Sequence, residues 1–353
     1  MHTLWIGTFP AAGASTTAGL GEGIWRASLD ATGTVSDLRQ VATTPAPTFL
    51  ALHPNGRWLY AVGEDGDGTV TAFTIDDDGL AARATISSGG ADPCHLALSS
   101  DARTLYVANY SSGTLGVIPL DDDGGLRGTG PAQVLAHEGT GPDPSRQESP
   151  HAHFVAVRES DDGTSDGTPR GEVIVADLGI DALRHYQVGP DGVLEFAGLT
   201  ELPPGTGPRH LAFSPDGRRC YVVGELDVTL HVLERTAEGY VPLQVLSLAG
   251  AAERGEHGWY LDGRLLASHI ELNGDRLLVG VRVDDRLEEF EVSDEGTLTT
   301  SATHPLGGWP RHFAVVDDLV LVAGQTNHAI EILGPDGARA EVALTGPACV
   351  LVA

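Results

Sequence analysis

The amino-acid sequence predicts an all-β protein folded as a seven-bladed β-propeller. Three observations support this prediction: a repeated strand unit along the chain, a high content of turn-forming residues, and the lack of sustained helical periodicity. Of the 353 residues, 46 are glycine and 21 are proline. Short runs of alternating β-branched and aromatic residues lie between turn residues, which is typical of strands rather than amphipathic helices.

The repeated unit begins with a proline and a short strand, followed by a polar turn, a second strand, another turn and a third strand. The leading prolines of the four regular copies are Pro47, Pro93, Pro150 and Pro208. Their spacings of 46, 57 and 58 residues suit a four-stranded blade with its loops, since propeller repeats run to roughly 40 to 50 residues. A degenerate fifth copy covers residues 267–282, and a sixth begins at Pro310.

The two ends of the chain complete each other. Residues 347–353 match only the first strand of the unit, whereas residues 4–8 and 23–28 match the second and third. Joined, they form a seventh blade that closes the ring and protects the sheet edges. We therefore expect one domain over residues 1–353. The third copy carries an insertion at residues 158–171, rich in Ser, Asp and Gly, which predicts an exposed loop.

The composition limits the chemistry. The net charge is −28, and the 21 basic residues are all arginine. Without lysine the chain has no Schiff-base residue, no P-loop lysine and no lysine general base. Strong acidity argues against nucleic-acid partners and against an anionic membrane surface, because both require a basic face.

Three scattered cysteines indicate neither a zinc site nor a disulfide framework. We expect no metal and no cofactor. The N-terminal sequence has no secretory signal pattern, and no apolar run approaches the length of a membrane span. A cytoplasmic location is therefore expected, while the oligomeric state stays open.

Equivalent positions of all blades lie on one ring around a propeller axis, so aligning the repeats also indicates geometry. The first strand starts, and the antiparallel second strand ends, at the same end of the blade. The residues after each leading proline, with one loose match, are Thr48, Cys94, His151, Arg209, Ser268, Arg311 and Ala348. The residues at the ends of the second strands are Thr8, Glu64, Tyr110, Leu178, Glu225, Arg282 and Gln325. A histidine, three arginines and two glutamates are thus predicted at one channel mouth.

Several of these residues also have structural interpretations. For His95, His210 and His312, one position further along the strand, repetition favours a recurring core or turn contact over catalysis. His153 falls in a register otherwise occupied by leucine and phenylalanine, which favours a packed histidine. Glu225 and Arg282 could form a structural ion pair with each other or with Arg209, because buried charges are costly unless paired.

Short motifs within these units carry a family resemblance over the whole chain. They lie at residues 93–96, 107–114, 150–153, 175–181, 207–210, 224–226 and 309–312. With them the chain resembles the seven-bladed propeller lactonases, a family that includes propeller-type 6-phosphogluconolactonases and fungal 3-carboxy-cis,cis-muconate lactonising enzymes. The resemblance implies a catalytic set of His151, Arg209, Glu225 and Arg282. Residues 251–266 depart from the family pattern, which bears on substrate specificity.

The resemblance implies hydrolysis of a sugar lactone. His151 would activate water, Arg209 and Arg282 would hold the carbonyl or an anionic group, and Glu225 would orient groups or shuttle a proton. Further contacts to the substrate are expected from Arg311, His153, Tyr110, Glu64, Gln325 and His269. The expected partner is a small-molecule lactone or carboxylated substrate.

Two other functions stay open at this point, as does the charge of the lactone. A cycloisomerase acting on a carboxylated muconate would use the same residues without water. A non-catalytic binding propeller would use the same fold. The acidic surface opposes long-range attraction of an anionic substrate, although an arginine cluster can dominate within a Debye length of about 8 Å. A neutral lactone is therefore a further alternative.

Overall fold

The computed structural model describes residues 1–9, 23–77, 79–158, 171–189, 192–237, 239–249, 265–335 and 337–353. In these residues, 28 strands form seven four-stranded antiparallel sheets, accompanied by one short 3-10 helix. The predicted seven-bladed β-propeller is confirmed. Most of the predicted insertion (159–170) and most of the divergent segment before blade 5 (251–264) lie outside the described residues.

The closing blade joins both ends of the chain, as predicted. Its first strand is the last of the chain, and the sheet order is β28-β1-β2-β3. We call it blade 7 and number the others from 1 to 6 along the chain. Its strands are β1 (His2–Thr8), β2 (Ile24–Leu29), β3 (Val35–Ala42) and β28 (Pro347–Val352).

Blades 1 to 6 each use four consecutive strands. Blade 1 has β4 (Leu50–Leu52), β5 (Trp58–Gly63), β6 (Thr69–Asp76) and β7 (Gly79–Ser87). Blade 2 has β8 (Pro93–Leu98), β9 (Thr104–Asn109), β10 (Thr114–Pro119) and β11 (Gln133–Ala136). Blade 3 has β12 (Ala152–Arg158), β13 (Glu172–Asp177), the 3-10 helix η1 (Leu178–Ile180), β14 (Ala182–Val188) and β15 (Leu194–Glu201).

The remaining blades follow the same plan. Blade 4 has β16 (Pro208–Phe213), β17 (Arg219–Gly224), β18 (Thr229–Thr236) and β19 (Gly239–Ser247). Blade 5 has β20 (Leu266–Asn273), β21 (Arg276–Arg282), β22 (Arg286–Val292) and β23 (Leu298–Pro305). Blade 6 has β24 (Pro310–Val316), β25 (Leu319–Gly324), β26 (Ala329–Leu333) and β27 (Arg339–Ala343).

The hydrophobic core lies between neighbouring blades. Second strands such as β5 and β25 are buried along their whole length because both of their faces pack against other blades. Fourth strands such as β19 expose most of their residues. One cluster joins Tyr221 and Val223 of blade 4 to Val279 of blade 5. First strands contact the first strands of both neighbours around the ring, and they line the axis.

An irregular register marks the entrance of the first strands in blades 2 to 6. In blade 2, Pro93 pairs with Asn109 and His95 with Ala108, so Cys94 stands in a bulge. In blade 6 the bulged residue is Arg311. Such bulges re-aim side chains, and they occur where the first strands reach the channel mouth.

The register corrects the alignment of the third copy by two residues. Ala152, not Pro150, occupies the position of the leading proline, since it pairs with Asp177 as Pro93 does with Asn109. The bulged residue of blade 3 is therefore His153. The Leu178 amide donates to the His151 carbonyl, as the Glu225 amide donates to the carbonyl of Gly207, the residue before the leading proline of blade 4.

His151 thus lies before the first strand, two residues nearer the mouth than His153. The prediction that His151 lies on the same ring as Arg209 was wrong. Pro150 precedes His151 in the Pro-His-Ala-His sequence as the leading proline does in other copies, but it does not occupy the leading position.

Candidate active site

A cavity of about 300 Å³ opens at the channel mouth, where the bulged residues and the ends of the second strands meet. Its lining residues are Phe9, Glu64, Cys94, Tyr110, Arg146, His153, Arg209, Glu225, Arg282 and Arg311. The lining contains seven of the ten residues expected from the sequence. It does not contain His151, Gln325 or His269.

Glu225 is the centre of the cavity's charge network. Arg209 Nε lies 2.9 Å and Arg282 Nη2 lies 2.7 Å from its Oε2 atom, while Arg146 Nη2 donates to Oε1 at 2.6 Å. All three guanidinium groups therefore surround one carboxylate that is only 2% exposed. Burial alone would raise the pKa of Glu225, but Arg282, Arg146 and Arg209 together hold it well below its usual range.

Backbone carbonyls orient the two inner arginines. Arg209 Nη1 donates to the Ser268 carbonyl at 2.8 Å, and Arg282 Nη2 donates to the Ala267 carbonyl at 2.9 Å. The Nε groups of both arginines are buried without an aligned hydrogen-bond acceptor among the described residues. Arg209 Nε is thus in ionic contact with Glu225, while its N–H bond does not point at the carboxylate. Burial lowers the pKa of Arg209 to about 9, and the side chain still carries its charge at neutral pH.

A second ion pair lies on the other side of the cavity. Arg311 Nη2 contacts Glu64 Oε2 at 3.2 Å, and the Thr48 hydroxyl donates to the same carboxylate. The Arg311 guanidinium also lies over the Phe9 ring, 4.8 Å from its centroid. Glu64 and Arg311 come from blades 1 and 6, which flank the closing blade, so this pair links the two neighbours of that blade.

The two blade 3 histidines occupy different environments. His153 lines the cavity, and burial together with Arg209 lowers its pKa well below the usual value, so its ring is neutral. His151 stacks on Tyr110 with ring centroids 4.4 Å apart. Its Nδ1 atom lies 3.0 Å from the Tyr110 carbonyl. A carbonyl can only accept, so Nδ1 is the donor in this contact. Nε2 faces Glu148 at 3.4 Å.

The segment over residues 175–181 explains how the mouth is fixed. Asp177 accepts from the His151 amide at 2.7 Å through Oδ1 and contacts buried His137 through Oδ2 at 2.5 Å. Asp181 accepts from the amides of Gly205 and Gly207, each at 2.7 Å. Gly207 has a φ of +59°, a left-handed conformation that favours glycine. These bonds fix the entrance of β16 and with it Arg209.

An aromatic layer closes the channel one position further along the first strands. Six rings follow one another around the axis with neighbouring centroids 4.0 to 5.5 Å apart, and they belong to Phe49, His95, Phe154, His210, His269 and His312. Burial is the first cause of the lowered pKa of all four histidines, which therefore stay neutral. The structural interpretation of His95, His210 and His312 agrees with this packing. His269 belongs to the same layer rather than to the cavity lining.

Arg146 is a cavity residue that the repeat alignment missed. It lies on the long connection between β11 and β12, which has no counterpart in the repeated unit, and its contact with Glu225 joins residues 79 positions apart. Phe9 was missed as well. Gln325 is buried at the end of β25, and the structure places its side chain outside the cavity lining.

The described residues contain no group of three or more His, Cys, Asp and Glu side chains arranged to hold a metal ion. Among the described residues there is also no helix with the length and apolar character needed to cross a membrane. All three cysteines are buried and unpaired. Burial raises the pKa of Cys94, the one that lines the cavity, so its sulfur stays protonated.

The structure is thus a closed seven-bladed propeller with a cluster of arginines in the cavity at one channel mouth. The sequence matches the family described as "Lactonase, 7-bladed beta-propeller" over residues 3–350, and the chain belongs to that family. Family membership supports lactone hydrolysis as the class of activity and a small-molecule lactone as the partner.

Individual relatives cover most of the chain. A 6-phosphogluconolactonase of Bacillus subtilis is 33% identical over 84% of this chain and 82% of its own. Another 6-phosphogluconolactonase, from Pectobacterium atrosepticum, is 30% identical over 88% and 86%. A solved structure of a periplasmic gluconolactonase from Pseudomonas aeruginosa superposes with a TM-score of 0.85, at 29% identity over 99% and 98%. Since this relative is periplasmic, the cytoplasmic location of our chain stays a prediction.

Proposed function

We propose that the chain hydrolyses a sugar δ-lactone of the 6-phosphogluconolactone type in the cavity around Glu225. The observation that carries the proposal is the convergence of three arginines on one buried carboxylate at the channel mouth of a lactonase-family propeller. Hydrolysis develops negative charge on the lactone carbonyl oxygen, and fixed cationic donors in a water-poor site stabilise that charge.

The proposed reaction begins with water. His151 lies outside the cavity lining but stacks on Tyr110, which belongs to it. From there His151 Nε2 accepts a proton as the water oxygen attacks the carbonyl carbon, and the tetrahedral oxyanion is stabilised by Arg209 and Arg282. The bond between the carbonyl carbon and the ring oxygen then breaks, and the proton returns to the departing alkoxide. The product is an open-chain hydroxy acid. His153, neutral and within the cavity, is a hydrogen-bonding partner for the attacking water or the sugar hydroxyls.

Glu225 has a positioning role in this proposal. A carboxyl group with so depressed a pKa does not exchange protons near neutral pH, which disfavours a proton shuttle. Its charge instead holds Arg209 and Arg282 at a fixed separation. Because the arginines share their counter-charge, they keep donor capacity for the oxyanion.

Charge balance favours an anionic lactone. Four arginines and two glutamates line the cavity, which gives four positive and two negative charges, or a net charge of +2. Relatives named 6-phosphogluconolactonase and gluconolactonase suggest the two substrates to compare. Buried charge without a partner is unfavourable, so a phosphorylated ring would complete the site better than a neutral one.

The experiment is a comparison of purified protein with 6-phosphoglucono-δ-lactone, glucono-δ-lactone and 3-carboxymuconate, each measured against its spontaneous rate. We expect hydrolysis of the phosphorylated lactone well above background. Turnover of the muconate alone would indicate the cycloisomerase reaction. No turnover of any of the three, despite ligand binding, would favour a binding propeller and would refute the proposal.

A further inference from the structure

We propose that Arg146 is a specificity-determining residue, which binds the anionic substituent of the substrate at the mouth of the cavity. This inference rests on the proposed function and adds to it a residue outside the set implied by the family resemblance. The connection that carries Arg146, residues 137–151, is called here the mouth loop.

The mouth loop holds Arg146 in place through its neighbour. Gln147 is fully buried, and its Nε2 atom donates to the Leu178 carbonyl at 2.8 Å and to Asp181 Oδ1 at 2.7 Å. The same Asp181 carboxylate fixes the entrance of β16 through two backbone amides, as described above. One buried carboxylate therefore sets the separation between Arg146 on the loop and Arg209 on the blade.

Other groups of the protein occupy only some of the hydrogen-bond donors of the Arg146 guanidinium. Nη2 binds Glu225, and both Nε and Nη2 lie 3.3 to 3.4 Å from the Tyr110 hydroxyl. Nη1 makes no hydrogen bond within the described ranges. The side chain is 17% exposed, compared with 3% for Arg209 and for Arg282. Among the arginines on Glu225, Arg146 is thus the one that an entering ligand reaches first.

Electrostatics gives this position a preference for anions. Arg311 has Glu64 as its own partner, whereas Arg146, Arg209 and Arg282 share Glu225. A phosphate or carboxylate on the substrate would supply the missing charge, and the planar guanidinium can bind either group through two parallel hydrogen bonds. A neutral lactone offers no such group, so Arg146 contributes to selection between the two.

The test compares Arg146→Gln and Arg146→Lys with the wild-type chain on 6-phosphoglucono-δ-lactone and on glucono-δ-lactone. A hydrogen bond between charged groups contributes about 1.5–3 kcal/mol. We therefore expect the ratio of kcat/KM for the phosphorylated over the neutral lactone to fall by about 10-fold or more in R146Q, mainly through KM. In R146K part of the ratio should return, because the charge is kept but the planar fork is lost.

The ratio of the two kcat/KM values distinguishes binding of the anionic group by Arg146 from a purely structural role of this residue. If Arg146 acted only by holding Glu225, both substrates would suffer equally and the ratio would stay at its wild-type value, which would overturn the inference. Arg103→Gln is the matched control, since Arg103 forms an exposed ion pair with Asp122 on the surface; its ratio should equal that of the wild type.

A binding measurement keeps the inference testable if the proposed activity fails. Titration calorimetry with 6-phosphogluconate, the open-chain acid, does not depend on turnover. We expect about 10-fold weaker binding to R146Q than to the wild-type chain, and a smaller change with gluconate. Equal affinity of both chains for 6-phosphogluconate, or no binding to the wild type, would overturn the role of Arg146.

Discussion

Replacing Glu225 with glutamine removes the shared counter-charge of three arginines without changing the shape of the side chain. In the wild-type chain the carboxylate is 2% exposed and lies 2.6 to 2.9 Å from Arg146, Arg209 and Arg282. Glu225→Gln therefore leaves three neighbouring cations in a buried cavity. Removing one partner of a buried ion pair costs about 3–5 kcal/mol.

That cost converts into a measurable shift of the melting temperature. With an unfolding entropy of roughly 2.1 cal/mol/K per residue, the melting temperature of a chain of 353 residues should fall by about 4–7 °C. The pKa of Glu225 is depressed in the folded state, so its contribution is complete above the unfolded carboxyl pKa of about 4.3 and is lost as the pH falls. The difference between E225Q and the wild type should be full at pH 7 and narrow in strong acid.

Calorimetry at several pH values measures both quantities. The double variant E225Q/R146Q is the informative control, because it removes one of the three unpaired cations and should be more stable than E225Q alone. A melting temperature of E225Q within 1 °C of the wild type at pH 7 would refute the view that Glu225 neutralises the cluster. A double variant less stable than E225Q would refute the same view.

Three further variants test the two histidines of blade 3 and a carboxyl group outside the cavity. His151→Ala should lower kcat about 100-fold or more by removing the proposed base, whereas His153→Ala should lower it about 10-fold; the reverse order in steady-state assays would exchange their roles. Burial raises the pKa of Glu271 to about 7 on the far side of the aromatic layer, so the contribution of Glu271 to the stability of the wild type should decline as the pH rises from about 4.3 to 7. The stability of Glu271→Gln should match that of the wild type near pH 4 and exceed it at pH 8 by at most about 4 kcal/mol, less for the 31% exposure of the side chain. Identical pH dependence of the two melting temperatures would contradict the shift.

The repeat register predicted much of the site because a propeller converts sequence position into position around an axis. Arg209, Glu225, Arg282 and Arg311 lie far apart in the chain and were placed together by their positions within the blades. His95, His210 and His312 were likewise predicted to be structural, since a residue repeated in several blades serves a contact that the blades share, whereas His269 of the same layer was expected to contact the substrate.

The register of blade 3 and the position of Arg146 could not be predicted from the repeat, for physical reasons. The Pro-His-Ala-His sequence fits the repeat in two registers, and only the hydrogen-bonded ladder of β12 and β13 shows that Ala152 stands in the proline position. Arg146 lies on a connection outside the repeat. Its place depends on the contact of Gln147 with Asp181, 34 residues further along, and local sequence patterns do not encode such long-range contacts.

The most direct test of the proposed active site is the hydrolysis of 6-phosphoglucono-δ-lactone by the wild-type chain and by Arg209→Gln. Arg209 is buried beside Glu225 and keeps its charge at neutral pH. Loss of one oxyanion donor typically lowers kcat by about 10²–10³-fold. We expect the wild type to exceed the spontaneous rate clearly and R209Q, folded by circular dichroism, to fall by about 100-fold or more. Wild-type activity at background, or an R209Q variant with unimpaired turnover, would contradict the assignment of this cavity as a lactonase site.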